Sequence, residues 1–111
     1  MNELQMYELS AQALGWKTKV VNFVRTNIVF YQRDVSPKPD WQEWDPLKND
    51  GQALLLMREL RLSVWPRDDA MWRAVPSDAP MVSDIAGVSE NLNRAIVECA
   101  AMMQEAKCLQ T

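Results

Sequence analysis

The sequence predicts an α+β fold: a small antiparallel sheet built from two hairpins with three helices packed against it, in the order α-ββ-α-ββ-α. Three observations carry that prediction. Apolar residues recur at helical spacing in three separate stretches. Two short runs rich in Val, Ile, Phe, Tyr and Trp follow the first and second of these, each run interrupted by turn-forming residues. Antiparallel hairpins leave a sheet face that amphipathic helices can cover, so the economical arrangement is helices packed on a sheet. The 111 residues give room for one domain and one core. No repeat, low-complexity tract or linker divides them, so residues 1–111 are expected to form a single compact domain.

The first helix is expected over residues 3–14. Leu4, Tyr7, Ala11 and Leu14 share a face there, and Gly15 stands where a left-handed C-cap belongs. Residues 17–24 and 27–32 read as the first hairpin, with Arg25, Thr26 and Asn27 as its turn. Residues 34–47 hold Pro37, Pro39 and Pro46 around Trp41 and Trp44. Proline cannot donate to a ladder, so this reads as an extended surface loop with at least one tryptophan folded back over the core as a lid.

Asn49 and Asp50, followed by Gly51, then offer capping side chains ahead of Ala53, Leu54, Met57 and Leu60, the apolar stripe of the second helix, with Leu55 and Leu56 widening the face so that the helix is expected to be covered on more than one side. Residues 62–65, stopped by Pro66, and 71–75, stopped by Pro76, form the second hairpin across Arg67, Asp68 and Asp69. Residues 77–87 read as a loop. Ser89 is the expected N-cap of the third helix, whose stripe is Leu92, Ala95, Ile96, Cys99, Ala100 and Met103. Pattern alone leaves open whether the two hairpins share one sheet.

A hydrophobic content of 48% with 24% charged residues suits a globular chain that folds without staples. The formal charge of −3 argues against affinity gained by neutralising phosphates. No basic n-region with an apolar run opens the chain, and no stretch approaches the roughly 20 apolar residues of a membrane span. The chain is therefore expected to be neither secreted nor in the membrane. Cys99 and Cys108 are spaced like neither a zinc ribbon nor a CxxC pair, and free thiols are expected.

The chain contains no histidine, which removes the usual general base, proton shuttle and zinc ligand. Cys99 falls on the apolar stripe and Cys108 has only Lys107 beside it, so neither is set up as a nucleophile. Asp45 and Asp50 read as turn and capping residues, and Asp68 and Asp69 as a solvated turn. Asp34, Asp40 and Glu43 complete the acidic set without forming a recognisable pair. Gly15, Gly51 and Gly87 are too far apart for a phosphate-cradling loop. The expectation is a protein that is not an enzyme, with no catalytic residue, no cofactor and no metal.

The five tryptophans are the compositional oddity. Aromatic planes can pack a core, anchor an interface or stack bases. Packing is the favoured reading, yet Trp41, Trp44, Trp65 and Trp72 are the candidate partner-binding residues. Met102 joins them because it lies off the main stripe of the last helix, where a soft side chain suits an adaptable surface. Arg58, Arg61, Arg67 and Arg73 could lay a cationic track near Trp65 and Trp72, but Glu59, Asp68 and Asp69 interrupt it.

Three stretches carry a resemblance: Ala13-Leu14-Gly15, then Trp44-Asp45-Pro46-Leu47 running into Asn49-Asp50-Gly51-Gln52-Ala53-Leu54, and finally Asn93 to Val97 leading into Ala100-Ala101. Together they resemble small uncharacterised phage and prophage proteins of the NinX type and related groups. The resemblance implies no activity. It implies a setting, the cytoplasm of a bacterial host cell, and action by binding a host or phage macromolecule. A protein partner is the leading expectation, with a homodimer also open. The alternative is a nucleic-acid or nucleotide-binding module using Trp65, Trp72, Arg67 and Arg73.

Overall fold

A computed structural model of the chain describes residues 2–23, 26–32, 41–67, 69–77 and 85–109. Within them the order is α1 (Glu3–Ala13), β1 (Lys17–Phe23), β2 (Thr26–Gln32), β3 (Gln42–Glu43), α2 (Asp50–Glu59), β4 (Leu62–Pro66), β5 (Trp72–Pro76), β6 (Gly87–Ser89) and α3 (Leu92–Leu109). This is the predicted α+β order, with each hairpin extended by one short strand. Several expected features lie outside the described residues: Arg25 of the first turn, Asp34, Pro37, Pro39 and Asp40 of the loop, Asp68 of the second turn, and Pro80.

Each helix begins on a polar side chain that accepts an otherwise unpaired backbone N–H. Asn2 and Gln5 close a reciprocal capping box at α1: the Gln5 amide donates to Asn2 Oδ1 at 2.8 Å and the Asn2 amide to Gln5 Oε1 at 3.1 Å. The predicted left-handed cap stands at Gly15, with φ of 80°. Asn49 caps α2 by accepting from the Gln52 amide at 3.0 Å. No glycine is available where α2 stops, and Arg61 itself takes the left-handed conformation, with φ of 53°. At α3 the expected cap is displaced by two residues. Asn91 accepts from the Arg94 amide at 3.1 Å, while Ser89 ends β6 and accepts from the Asn91 amide. A short strand claims Ser89 before the helix can begin.

The hairpins make two separate sheets, each antiparallel, in the orders β1-β2-β3 and β4-β5-β6. In the first, Phe23 pairs with Thr26 and Asn22 with Asn27, so Thr26 and Asn27 belong to the strand and not to the turn. In the second, Pro66 and Pro76 close their strands, where a missing N–H costs least.

The helices lie between these sheets. Helix α1 packs on β1 and β2, α3 packs on β5 and β6, and α1 and α3 pack on each other, with α2 against α3 and β4. Small side chains let α3 serve several neighbours at once. Ala95, Val97, Cys99, Ala100 and Ala101 are all fully buried, so the buried surface wraps well beyond the single stripe read from spacing. Leu92, expected on that stripe, is 37% exposed at the first turn of the helix. On α1 the most buried positions are Met6, Ser10 and Ala11, with Leu4, Tyr7 and Leu14 half-buried beside them. One hydrophobic core joins residues of all three helices and both sheets.

Candidate functional site

Trp44, read both as a lid folded over the core and as a candidate for binding a partner, is a core residue at 1% exposure. Its indole N–H donates to Ser10 Oγ at 3.0 Å, and Ser10 in turn donates to the Tyr7 carbonyl at 2.9 Å. The ring completes an aromatic cluster in which Trp16 stacks on Tyr31 at 4.6 Å and Trp44 meets both edge-on at 5.7 and 5.3 Å. A serine on a helix face satisfies the indole, so full burial leaves no polar group unpaired. Trp44 is therefore removed from the candidate surface.

The rest of the Trp44 to Leu54 segment is tied down in the same way. Tyr7 donates its hydroxyl to Asp45 Oδ1 at 2.5 Å, and burial, then that bond, holds the phenol proton well above its ordinary pKa. The Asp45 carbonyl accepts from the Lys48 and Asn49 amides, and Pro46 is buried. Gln52 bridges both sides of the loop, accepting from the Asp45 amide at 2.7 Å and donating to the Glu43 carbonyl at 2.9 Å. From α3, Asn93 donates to Asp50 Oδ1 at 2.7 Å and to the Leu47 carbonyl at 3.3 Å. Arg94 next to it pairs with Glu98 at 3.0 Å and Glu3 at 3.3 Å. Two of the stretches that carry the resemblance, residues 44–54 and 93–97, thus meet as scaffold.

The remaining candidates do not gather into one surface. Trp41 is half-buried on the first sheet, with Lys19 Nζ 4.5 Å from its ring centroid and 5.9 Å from that of Phe30. Trp65 pairs across the second sheet with Arg73, and Trp72 with Pro66. Side chains alternate faces along a strand, so Trp72 shares a face with the core residues Leu62 and Ala74 while Trp65 and Arg73 share the other. The two tryptophans therefore cannot form a joint stacking platform. Met102 is half-buried, whereas Met103 packs against the core.

Trp65 is the most exposed of the candidates, at 39%, on the edge strand β4 next to Pro66 and the following Arg67. Arg67 is ion-paired with Asp69 at 3.1 Å and Arg58 with Glu59 at 3.5 Å, so two cations of the expected track already face acids.

A second apolar surface was not singled out from the sequence. Leu54 is 57% exposed at the middle of α2 and lines a recess of about 450 Å3 together with Met57, Leu92, Ile96, Asp50, Asn91 and Asn93. Helical spacing put Leu54 on the apolar stripe of α2. Ala53 of that stripe and Leu56 beside it turn inward, while Leu54 is left outside, because the helix sets its Leu56 side against α3 and β4.

Cys99 is fully buried and its thiol is pushed up to about 11 by burial, while Cys108 is exposed. Among the described residues, no cluster of three Cys, Asp or Glu side chains is placed to hold a metal ion. No described helix is long and apolar enough to cross a membrane. No protein-family model, curated protein or solved structure matches this chain.

Proposed function

We propose that this chain is a phage-type accessory protein of the bacterial cytoplasm that acts by binding a host or phage protein and catalyses no reaction of its own. The observation that carries the reading is Trp65, a large aromatic left 39% exposed on an edge strand and directly across from Arg73. Exposed tryptophan beside arginine is the composition of an interface anchor. The lack of histidine and the structural employment of Asp45 and Asp50 support a binding role over catalysis.

The test is affinity capture from bacterial lysate, with and without phage infection, using the wild-type chain and Trp65→Ala. A protein retained by the wild type and weakened at least ~10-fold by the substitution is the expected result. Capture that is absent, or equal in both chains, refutes the reading. Nucleic-acid binding is the alternative, and the opposite faces of Trp65 and Trp72 weigh against it. A gel shift with single- or double-stranded DNA or RNA at low salt that Trp65→Ala abolishes would put it in first place.

A further inference from the structure

The outer face of α2 has the layout of a surface that binds its own copy. Asp50, Leu54 and Arg58 follow one another at four-residue spacing and are all exposed, opposite the buried Leu56. An acid, an exposed apolar residue and a base in that order are self-complementary under a two-fold axis. When two such helices lie antiparallel with the axis at Leu54, each Asp50 faces the other copy's Arg58, and each Gly51 faces the other's Met57.

The apolar parts fit the same symmetry. Leu54 itself lines the recess with Met57, Leu92 and Ile96, so the exposed leucine and the hollow form one continuous apolar face. With the axis at Leu54 the two leucines meet each other and each recess faces its own copy. Arg58 is free to change partner at little cost, since its ion pair with the adjacent Glu59 is 3.5 Å long and solvent-exposed on both sides, and the exposed Asp50 can keep its bond from Asn93 on Oδ1 while its second oxygen accepts from the partner.

We propose that the chain forms a two-fold homodimer through α2, with Leu54 as the central contact and Asp50–Arg58 pairs at its two ends. This assignment is independent of the Trp65 surface. A ten-residue helix with flanking Leu92 makes a small interface, so the dimer is weak and concentration-dependent.

Sedimentation equilibrium of the full chain from ~10 μM to ~1 mM tests it. The wild type is expected to show a monomer–dimer equilibrium, and Leu54→Glu to weaken it at least ~10-fold with an unchanged melting temperature, because Leu54 is exposed. Arg58→Glu and Asp50→Lys are each expected to weaken self-association by setting like charges opposite each other. Mixed one to one, they are expected to associate more tightly than either does alone, because both end pairs are then opposite in charge. A wild type monomeric throughout the range overturns the proposal, whatever else binds the face. So does a mixture no tighter than its components, or a dimer that Trp65→Ala abolishes and Leu54→Glu leaves intact.

Discussion

A β-carbon on Gly87 would lie 1.9 Å from the Ala95 carbonyl oxygen and 2.9 Å from the Cys99 amide nitrogen. Both are backbone atoms of α3, so no side chain can move aside to admit it. The absence of a side chain sets the distance between β6 and the helix. Gly87→Ala is therefore expected to lower stability by about 3 kcal/mol or more, since β6 must lift off α3 or the helix must bend. Urea unfolding checks this, and a loss under about 1 kcal/mol would mean that the strand is not held so close. Nothing in the sequence singled out Gly87, an isolated glycine in a stretch read as loop. Gly15 was legible because its reason is local, a positive φ after a helix; the reason for Gly87 comes from residues eight and twelve positions away.

The segment from Trp44 to Leu56 shows the same division at the level of an element. Its helix start was readable, because an N-cap acts within three residues, and Asn49 does accept from the Gln52 amide. Asn49→Ala is expected to cost about 1 kcal/mol, and Asn49→Asp to restore most of it. Chemical denaturation of the three chains decides, and an alanine variant as stable as the wild type would show that the cap contributes nothing. The inward roll of α2 was not readable. Ala53, Leu54, Leu55, Leu56 and Met57 form an unbroken apolar run in which spacing admits more than one face, and the contacts with α3 and β4 choose Leu56 over Leu54. That choice exposes the leucine on which the proposed dimer turns. On β4 and β5 the register likewise sends Trp65 outward and Trp72 toward the core, a separation that tryptophan count could not show.

At the scale of the whole molecule, Tyr7 on α1 and Cys99 on α3 link the fold to pH. Both are acids whose protonated forms the folded chain favours, Cys99 with its pKa raised from the ordinary value of 9 to about 11 and Tyr7 with its own raised as well. Below pH ~9 folded and unfolded chains both hold these protons, and neither group makes stability depend on pH. Above it the unfolded chain releases protons that the folded chain keeps, so stability falls as pH rises, by roughly 2–3 kcal/mol from Cys99 by pH ~11 and further from Tyr7. One core joins the three helices and both sheets, so circular dichroism and tryptophan fluorescence are expected to report this loss together. Cys99→Ala should flatten the fall. Stability constant from pH ~8 to ~11 in the wild type would contradict the burial of both groups.

The sequence by itself determined the α+β class, the element order, the caps at Gly15 and Asn49 and the lack of histidine chemistry, because propensity, capping and composition act over a few residues. Only the tertiary structure decided that the hairpins form separate sheets on either side of the helices, since strand pairing and helix docking join distant residues. It also decided that Trp44 belongs to the core, through a hydrogen bond to Ser10 across 34 positions of chain. The same packing left Trp65 and Leu54 at the surface. Burial is settled by what a residue meets in space, and the sequence states only what it follows.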